Sequence, residues 1–201
     1  MPIFAATRNA GKLAELRDLF GPYGVEVETW DGYAEPEEDA DSYAGNAAIK
    51  ARALSTQLLN SGIHADVLAD DSGLEIAALG GRPGVQSARY CGPNATWAER
   101  RASILREVTE SGSDDRRARF VCVLWFVAVD GREICAEGIA EGELSRDDRG
   151  ELGFGYDPIF YDPSEHATYG ELSEIEKNKI SHRAKAVQKL MEELSAEQKK
   201  L

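Results

Sequence analysis

Leu68-Ala69-Asp70-Asp71-Ser72-Gly73-Leu74 is the stretch on which the reading of this chain turns. An apolar run ends there in two adjacent carboxylates and a glycine, which reads as a short strand over 66–69 delivering an Asp-Asp-Ser-Gly turn. Two like charges side by side are costly unless solvated or bound. An isolated pair of this kind is more often an ordinary solvated turn than a site for a divalent cation, so the surrounding sequence has to decide. Leu74 to Leu79 reads as a second short strand, closed by the loop Gly80-Gly81-Arg82-Pro83-Gly84.

Toward the N-terminus, Pro2 to Ala6 reads as a strand and Thr7-Arg8-Asn9-Ala10-Gly11-Lys12 as a polar glycine turn. A helix follows with Leu13, Leu16, Leu19 and Phe20 on one face. Such a junction aims backbone N–H groups and the positive end of a helix dipole at one spot, and Thr7, Asn9 and Lys12 add donors suited to phosphate oxygens. It is not a Walker loop, which needs Gly at position 6 and Ser or Thr at position 13, where this chain has Ala6 and Leu13. Taken alone, Asn9 serves equally well as a plain helix cap. Val25 to Thr29 reads as a strand. Ser42 to Asn60 reads as a helix burying Tyr43, Ala47, Ala51, Leu54 and Leu58, with Asn46 and Lys50 one turn apart near its start.

Toward the C-terminus, Thr96 to Glu110 reads as a helix capped by Asn94, with Trp97, Ile104, Leu105 and Val108 inward. Phe120 to Val129 is nearly unbroken apolar and rich in β-branched and aromatic residues, which predicts a strand covered on both faces. Asp130-Gly131 is a hairpin signal, so Glu133 to Leu144 is expected to return antiparallel. A glycine-rich loop leads to Phe154-Gly155-Tyr156-Asp157-Pro158 and Ile159-Phe160-Tyr161, and the last helix spans Ser181 to Ala196. Lys177-Asn178-Lys179-Ile180-Ser181-His182-Arg183 stands ahead of that helix. Cations at a helix N-terminus oppose its dipole, and that invites a ligand explanation.

Composition narrows the function classes. A chain of 201 residues that is 42% hydrophobic can bury a good core within one domain, with room for two lobes. A formal charge of −13 argues against broad nucleic-acid or anionic-membrane binding, while leaving room for a local basic pocket. Cys91, Cys122 and Cys135 show no CxxC or Cys/His spacing, so neither a disulfide framework nor a zinc site is expected and a reducing, cytoplasmic compartment is. No stretch approaches the roughly 20 apolar residues of a membrane span, and the first 25 residues do not read as a targeting segment. The acidic run Glu35 to Asp41 reads as a flexible loop.

Six motifs fall in order along the chain: Thr7-x-Asn9-x-Gly11-Lys12-x-x-Glu15, Asn46-Ala47-x-x-Lys50-Ala51, Ala69-Asp70-Asp71-Ser72-Gly73-Leu74, Gly80-Gly81-x-Pro83-Gly84-x-x-Ser87-Ala88-Arg89-Tyr90, Phe154-Gly155-Tyr156-Asp157-Pro158 and Ser181-His182-Arg183. Together they resemble the inosine triphosphate pyrophosphatase (Ham1-like) family, from residue 5 to about residue 190. The resemblance implies an α/β fold over residues 1–201 with a long central mixed sheet, flanking helices and two lobes around a cleft, assembled as a homodimer. It further implies Mg²⁺-dependent hydrolysis of noncanonical purine nucleoside triphosphates (ITP, dITP, XTP) to the monophosphate and pyrophosphate. A Maf-like pyrophosphatase, a nucleotide sensor without turnover and a purely structural protein are the alternatives. Ser181-His182-Arg183 speaks against the first, and the co-occurrence of phosphate, carboxylate and cationic motifs against the last.

Carried onto this chain, the resemblance makes Asp71 the proton acceptor, with Asp71 and Asp70 at the metal. Thr7, Arg8, Asn9, Ala10, Gly11 and Lys12 cradle the triphosphate with Lys177 as a second clamp, and Ser72 donates to the substrate. Phe154, Gly155, Tyr156 and Asp157 bind the substrate, with Phe154 or Tyr156 stacking on the base. His182 and Arg183 would donate to a 6-oxo purine, which offers an acceptor where adenine offers a donor. One position departs: the family often has Glu before the Asn of the helix motif, and this chain has Gly45, with Glu38, Asp39 and Asp41 the nearest acidic residues.

Overall fold

The computed structural model describes residues 2–198. In chain order the elements are β1 (Ile3–Ala5), α1 (Ala10–Phe20), β2 (Val27–Glu28), α2 (Tyr43–Asn60), β3 (Val67–Ile76), α3 (Trp97–Glu110), β4 (Arg117–Val127), β5 (Glu133–Leu144), β6 (Phe160–Asp162), β7 (Ala167–Thr168), α4 (Glu174–Ile180) and α5 (His182–Gln198). The strands form one seven-stranded sheet in the order β2-β1-β3-β4-β5-β6-β7. Strand β1 runs parallel to β2 and β3, whereas β6 runs antiparallel to β5 and β7, so the sheet is mixed and the fold is the expected α/β class.

Local chemistry sets most of the boundaries. Asn9 Oδ1 accepts from the Lys12 N–H at 3.1 Å and starts α1, and Ser42 Oγ accepts from the Gly45 N–H at 3.2 Å and starts α2. Helix α3 is capped by Thr96 rather than Asn94, because Thr96 and Glu99 form a reciprocal capping box. The turn between β4 and β5 closes with Ala128 N–H donating to the Arg132 carbonyl at 2.8 Å around Gly131, whose φ of +87° suits glycine.

The largest departure from the sequence reading is β3. Asp70-Asp71-Ser72-Gly73 does not turn; the strand runs unbroken from Val67 to Ile76, and Gly73 has no positive φ. The Asp, Ser and Gly signals lose to pairing on both sides of the strand and to the burial of Leu74 and Ile76 beyond it. Strand β2 is shorter than expected, since only Val27 and Glu28 pair with β1.

The chain divides into two compact units, one comprising residues up to Asp71, Cys122–Gly138 and the chain from His182, the other Ser72–Val121 and Ile139–Ser181. In the first unit Leu68, Cys122 and Leu124 pack with Leu16, Leu19 and Phe20 of α1 and Val187 and Leu190 of α5. Val67, Ala69 and Val127 pack instead with Ala51, Leu54 and Leu58 of α2. Burying each such Leu contributes roughly 1.5–3 kcal/mol, so both sheet faces are firmly covered. The second unit is built on Leu74, Ile76, Ile104, Val108, Phe120, Phe160 and Tyr169.

Candidate active site

Successive side chains of a strand point to opposite faces, and this decides what becomes of the two aspartates. Leu68 lies with α1 and α5, and Asp70 follows it on that face. Val67 and Ala69 lie with α2, and Asp71 follows them there.

Asp70 is 2% exposed and is held by cations. Its Oδ2 accepts from Arg183 Nε at 2.8 Å and from the Cys122 thiol at 3.0 Å, and its Oδ1 pairs with Lys12 Nζ. The Arg183 guanidinium also pairs with Glu15, which occupies a core position of α1. Two cations and two carboxylates thus balance in a buried cluster. Burial alone would push the Asp70 carboxyl up, but Arg183 and Lys12 outweigh it and hold it well below the usual carboxylate range. Burial would depress Arg183, yet Asp70 and Glu15 keep it firmly cationic. The Cys122 thiol is pushed well up by burial and then by Asp70, so it is a neutral donor.

Asp71 has different company. Its Oδ1 lies 3.0 Å from Lys50 Nζ and its Oδ2 3.5 Å from Asn46 Nδ2, both one turn apart on α2. Lys50 Nζ also donates to the Asp70 carbonyl at 2.8 Å and lies 3.4 Å from Glu38 Oε1. Burial raises the Asp71 carboxyl above its usual value despite Lys50 and Lys12, which act the other way. Lys50 is raised as well: burial opposes this, but Asp71 and Glu38 outweigh it. A basic carboxylate beside a fixed ammonium is a fit arrangement for taking a proton from water.

Glu38 reaches this point because the acidic run is docked on α2 rather than loose. The Ala40 N–H donates to Asn46 Oδ1 at 3.0 Å. Gly45 makes the approach possible, since a Cβ there would stand 2.6 Å from the Ala40 Cβ and 3.0 Å from Ser42 Oγ.

The glycine turn after β1 leads into α1 as expected. Thr7 Oγ1 accepts from the Asn9 N–H at 3.1 Å, and Asn9 caps the helix as described, leaving the Ala10 and Gly11 N–H groups without an intrahelical acceptor. Arg8 donates to the Tyr33 carbonyl, and Lys12 stands over Asp70. His182 is buried at the start of α5 beside Arg183. Arg183, expected at the base, is committed to Asp70 and Glu15. Asp70, expected at the metal, has both oxygens engaged.

The remaining expected residues belong to the second unit. Ser72 follows Asp71 in β3 and is half-buried. Lys177 is buried, donates to Asp157 Oδ2 at 2.8 Å and sits 5.3 Å above the Phe154 ring. Asp157 Oδ2 also accepts from the Phe154 N–H at 2.9 Å. Tyr156 is buried, its hydroxyl donates to the Ser87 carbonyl at 2.8 Å and its ring meets Trp97 edge-on, so it supports the loop and leaves Phe154 as the stacking candidate. Lys177 and Lys179 lie in the last turn of α4, where a helix dipole favours cations, so only His182 and Arg183, at the start of α5, stand at a helix N-terminus as the sequence suggested.

Sequence reasoning named Glu38 only as one of the acidic residues nearest Gly45, and gave Glu15 and Cys122 no part in the site. Glu15 had a signal: an acidic residue among Lys12, Leu16 and Leu19 on the inward stripe of an amphipathic helix. Cys122, inside an apolar strand, had none.

Fold and site define an α/β protein with a polar helix start beside a buried acid–cation centre. The Ham1 family profile matches residues 3–193. A dITP/XTP pyrophosphatase of Geobacillus kaustophilus is 45% identical over 195 residues, covering 95% of this chain and 93% of the relative. That of Coxiella burnetii is 42% identical over 194 residues, with 94% of each chain covered. Among solved structures, a HAM1 protein from Coxiella burnetii matches with a TM-score of 0.84 at 40% identity, covering 98% of this chain and 99% of the other. The Staphylococcus aureus Ham1 protein matches with a TM-score of 0.83 at 34% identity, covering 98% and 100%. This chain belongs to the Ham1 family.

Proposed function

We propose that the protein hydrolyses noncanonical purine nucleoside triphosphates, ITP, dITP and XTP, to the monophosphate and pyrophosphate. The observation that carries the reading is the Asp71–Lys50 pair of the first unit, in which burial makes the carboxylate more basic while the ammonium remains charged. The relatives named as dITP/XTP pyrophosphatases supply the substrate class. In this mechanism Asp71 takes the proton from the water that attacks the α-phosphorus, the pyrophosphate departs, and Lys12 with the Ala10 and Gly11 N–H groups bears the phosphate charge. Asp70 acts at a distance: it fixes Lys12 and Arg183. In the second unit Phe154 and Lys177 are assigned to the substrate, and the family match running through both units supports treating residues 1–201 as one pyrophosphatase domain.

Among the described residues no group of three or more His, Cys, Asp or Glu side chains forms a ready metal cage. Asp71 and Glu38 nevertheless place carboxylates at 3.0 and 3.4 Å from the same Lys50 nitrogen. Two hard oxygen donors fit Mg²⁺, which normally binds through one or two carboxylates and keeps waters and substrate phosphates as its other ligands. We assign Asp71 and Glu38 to it. The ion would neutralise phosphate charge and position substrate.

Three free cysteines, Cys91, Cys122 and Cys135, support a cytoplasmic setting, and the family resemblance supports a homodimer. No helix among the described residues is long and apolar enough to cross a membrane. Pyrophosphate release from a panel of deaminated and ordinary nucleoside triphosphates, with Mg²⁺ and with chelator, tests the reading. Turnover of dITP and XTP far above dATP, lost on chelation, is expected. Tight dITP binding without pyrophosphate release would instead mark a sensor.

A further inference from the structure

Helix α3 carries an unusual start. Its first turn holds Trp97 and its second holds Arg100 and Arg101, although cations near a helix N-terminus oppose the dipole. Trp97 and Arg101 are four residues apart and share a face, which is turned to the Phe154–Asp157 loop. Arg101 Nη1 donates to the Gly155 carbonyl at 2.9 Å. Its Nε and Nη2 both lie 2.7 Å from Asp148 Oδ2, so the fork is fixed and Nη1 can point only one way. The Trp97 and Tyr156 rings meet edge-on at 5.3 Å. Trp97 is itself held by Arg100, whose guanidinium lies 5.0 Å from the ring centroid and donates to the Gly92 carbonyl at 3.0 Å.

Gly155 is the soft point of this loop. Its φ of +65° is open to glycine and strained for other residues. Asp157 ties the Phe154 N–H, and Tyr156 is tied through its hydroxyl, but the Gly155 carbonyl depends on Arg101. That carbonyl belongs to the peptide that follows Gly155, one residue on from Phe154.

We infer that Arg101, steadied by Asp148, is a positioning residue that sets the Gly155 peptide and so the plane on which Phe154 receives the purine. The inference rests on the proposed base-binding role of Phe154. In this assignment Arg101, with its guanidinium committed to Asp148 and Gly155, acts through the loop on recognition of the base and not on the chemistry at phosphorus.

The test compares Arg101→Ala, Arg101→Lys and Phe154→Ala with the wild type in dITP kinetics and in binding of two probes, inosine 5′-monophosphate and inorganic pyrophosphate. Loss of one hydrogen bond from a charged donor corresponds to roughly a 10-fold change. Arg101→Ala is therefore expected to raise KM for dITP and the Kd for inosine 5′-monophosphate about 10-fold, with kcat and pyrophosphate binding within about twofold of wild type. Arg101→Lys keeps a cation for Asp148 but loses the fork, and should fall between; it also serves if Arg101→Ala does not fold. A general structural role would move kcat and pyrophosphate binding as well, and that outcome overturns the inference. It is also overturned if Phe154→Ala weakens monophosphate binding while both Arg101 variants match the wild type. If Phe154→Ala leaves monophosphate binding unchanged, the reading of the loop fails, and the inference with it.

Discussion

Replacing Arg183 by Leu removes the cation that sits between Asp70 and Glu15 and leaves two buried carboxylates with Lys12 as their nearby cation. Breaking a buried ion pair from one side costs about 3–5 kcal/mol, because the partner remains uncompensated. For a chain of this size each kcal/mol moves the melting temperature by about 2–4 °C, so a fall of about 6–20 °C is expected. Asp70→Asn provides the cross-check. If the two side chains act on each other, Arg183→Leu in the Asp70→Asn background should cost less than Arg183→Leu alone, with a coupling of about 0.5–3 kcal/mol. The pH dependence has a definite sign. The folded Asp70 carboxyl is held well below its usual range by Arg183 and Lys12 against the pull of burial. Its contribution is complete above the unfolded value of about 3.9 and is lost as the pH falls from there through the folded value. The stability gap between wild type and Asp70→Asn should accordingly stay flat above about pH 5 and shrink below about pH 4. Thermal unfolding of the four proteins across that range is the assay. Strict additivity at neutral pH would refute the buried cluster.

Two further perturbations address the Asp71 side. The acid limb of kcat/KM should reflect the Asp71 carboxyl as it stands in the Mg²⁺-loaded enzyme, with activity lost as the pH falls through it; Lys50→Met removes a cation that lowers that value, so the limb should move to higher pH. A limb unmoved in a pH–rate profile of Lys50→Met would separate the two groups. Gly45→Glu, which restores the carboxylate the family often has there, should lower activity at limiting Mg²⁺, because its Cβ displaces Ala40 and with it Glu38. Mg²⁺ titrations of dITP turnover check this, and an unchanged or improved metal response would remove Glu38 from the site.

The fold was legible where local and global preferences agree. Phe120 to Val129 and Glu133 to Leu144 could be placed because an apolar β-branched run, an Asp-Gly turn and a returning strand all point one way. The middle of β3 was not legible, because what neutralises its carboxylates lies elsewhere: Arg183 is 113 positions from Asp70 and 168 from Glu15. No local window sees such partners, so Asp-Asp-Ser-Gly read as a turn rather than as the middle of a strand. Other misses were avoidable. Thr96-x-x-Glu99 and Ser173-x-x-Glu176 are capping boxes written in the sequence, and the second would have shown a separate helix carrying Lys177 and Lys179 in its last turn. The turn and helix cap at residues 7–12 were readable because their chemistry is local; the grip of Arg183 on Asp70 was not.

Adjacent in sequence, Asp70 and Asp71 are separated by one residue of strand alternation into opposite tasks, and a pair of isosteric replacements should show it. Asp70 is stabilised by its surroundings, so Asp70→Asn forfeits charge-assisted bonds to Arg183 and Lys12 and should cost several kcal/mol, on the order of a broken buried pair. Asp71 is the reverse. Its carboxyl is raised by burial, so above the unfolded value near 3.9 the ionised form is a burden on the folded state that grows until the folded value is passed. Asn lifts that burden, while Lys50 keeps Glu38 and the Asp70 carbonyl as partners. Asp71→Asn should thus stay within about 1 kcal/mol of wild type in stability yet lose at least about 100-fold in kcat, the loss typical of a missing general base. Parallel urea unfolding and dITP turnover of the two variants measure both quantities. If Asp71→Asn unfolds as early as Asp70→Asn, or retains near-wild-type kcat, the strand has not divided the pair into an anchor and a base.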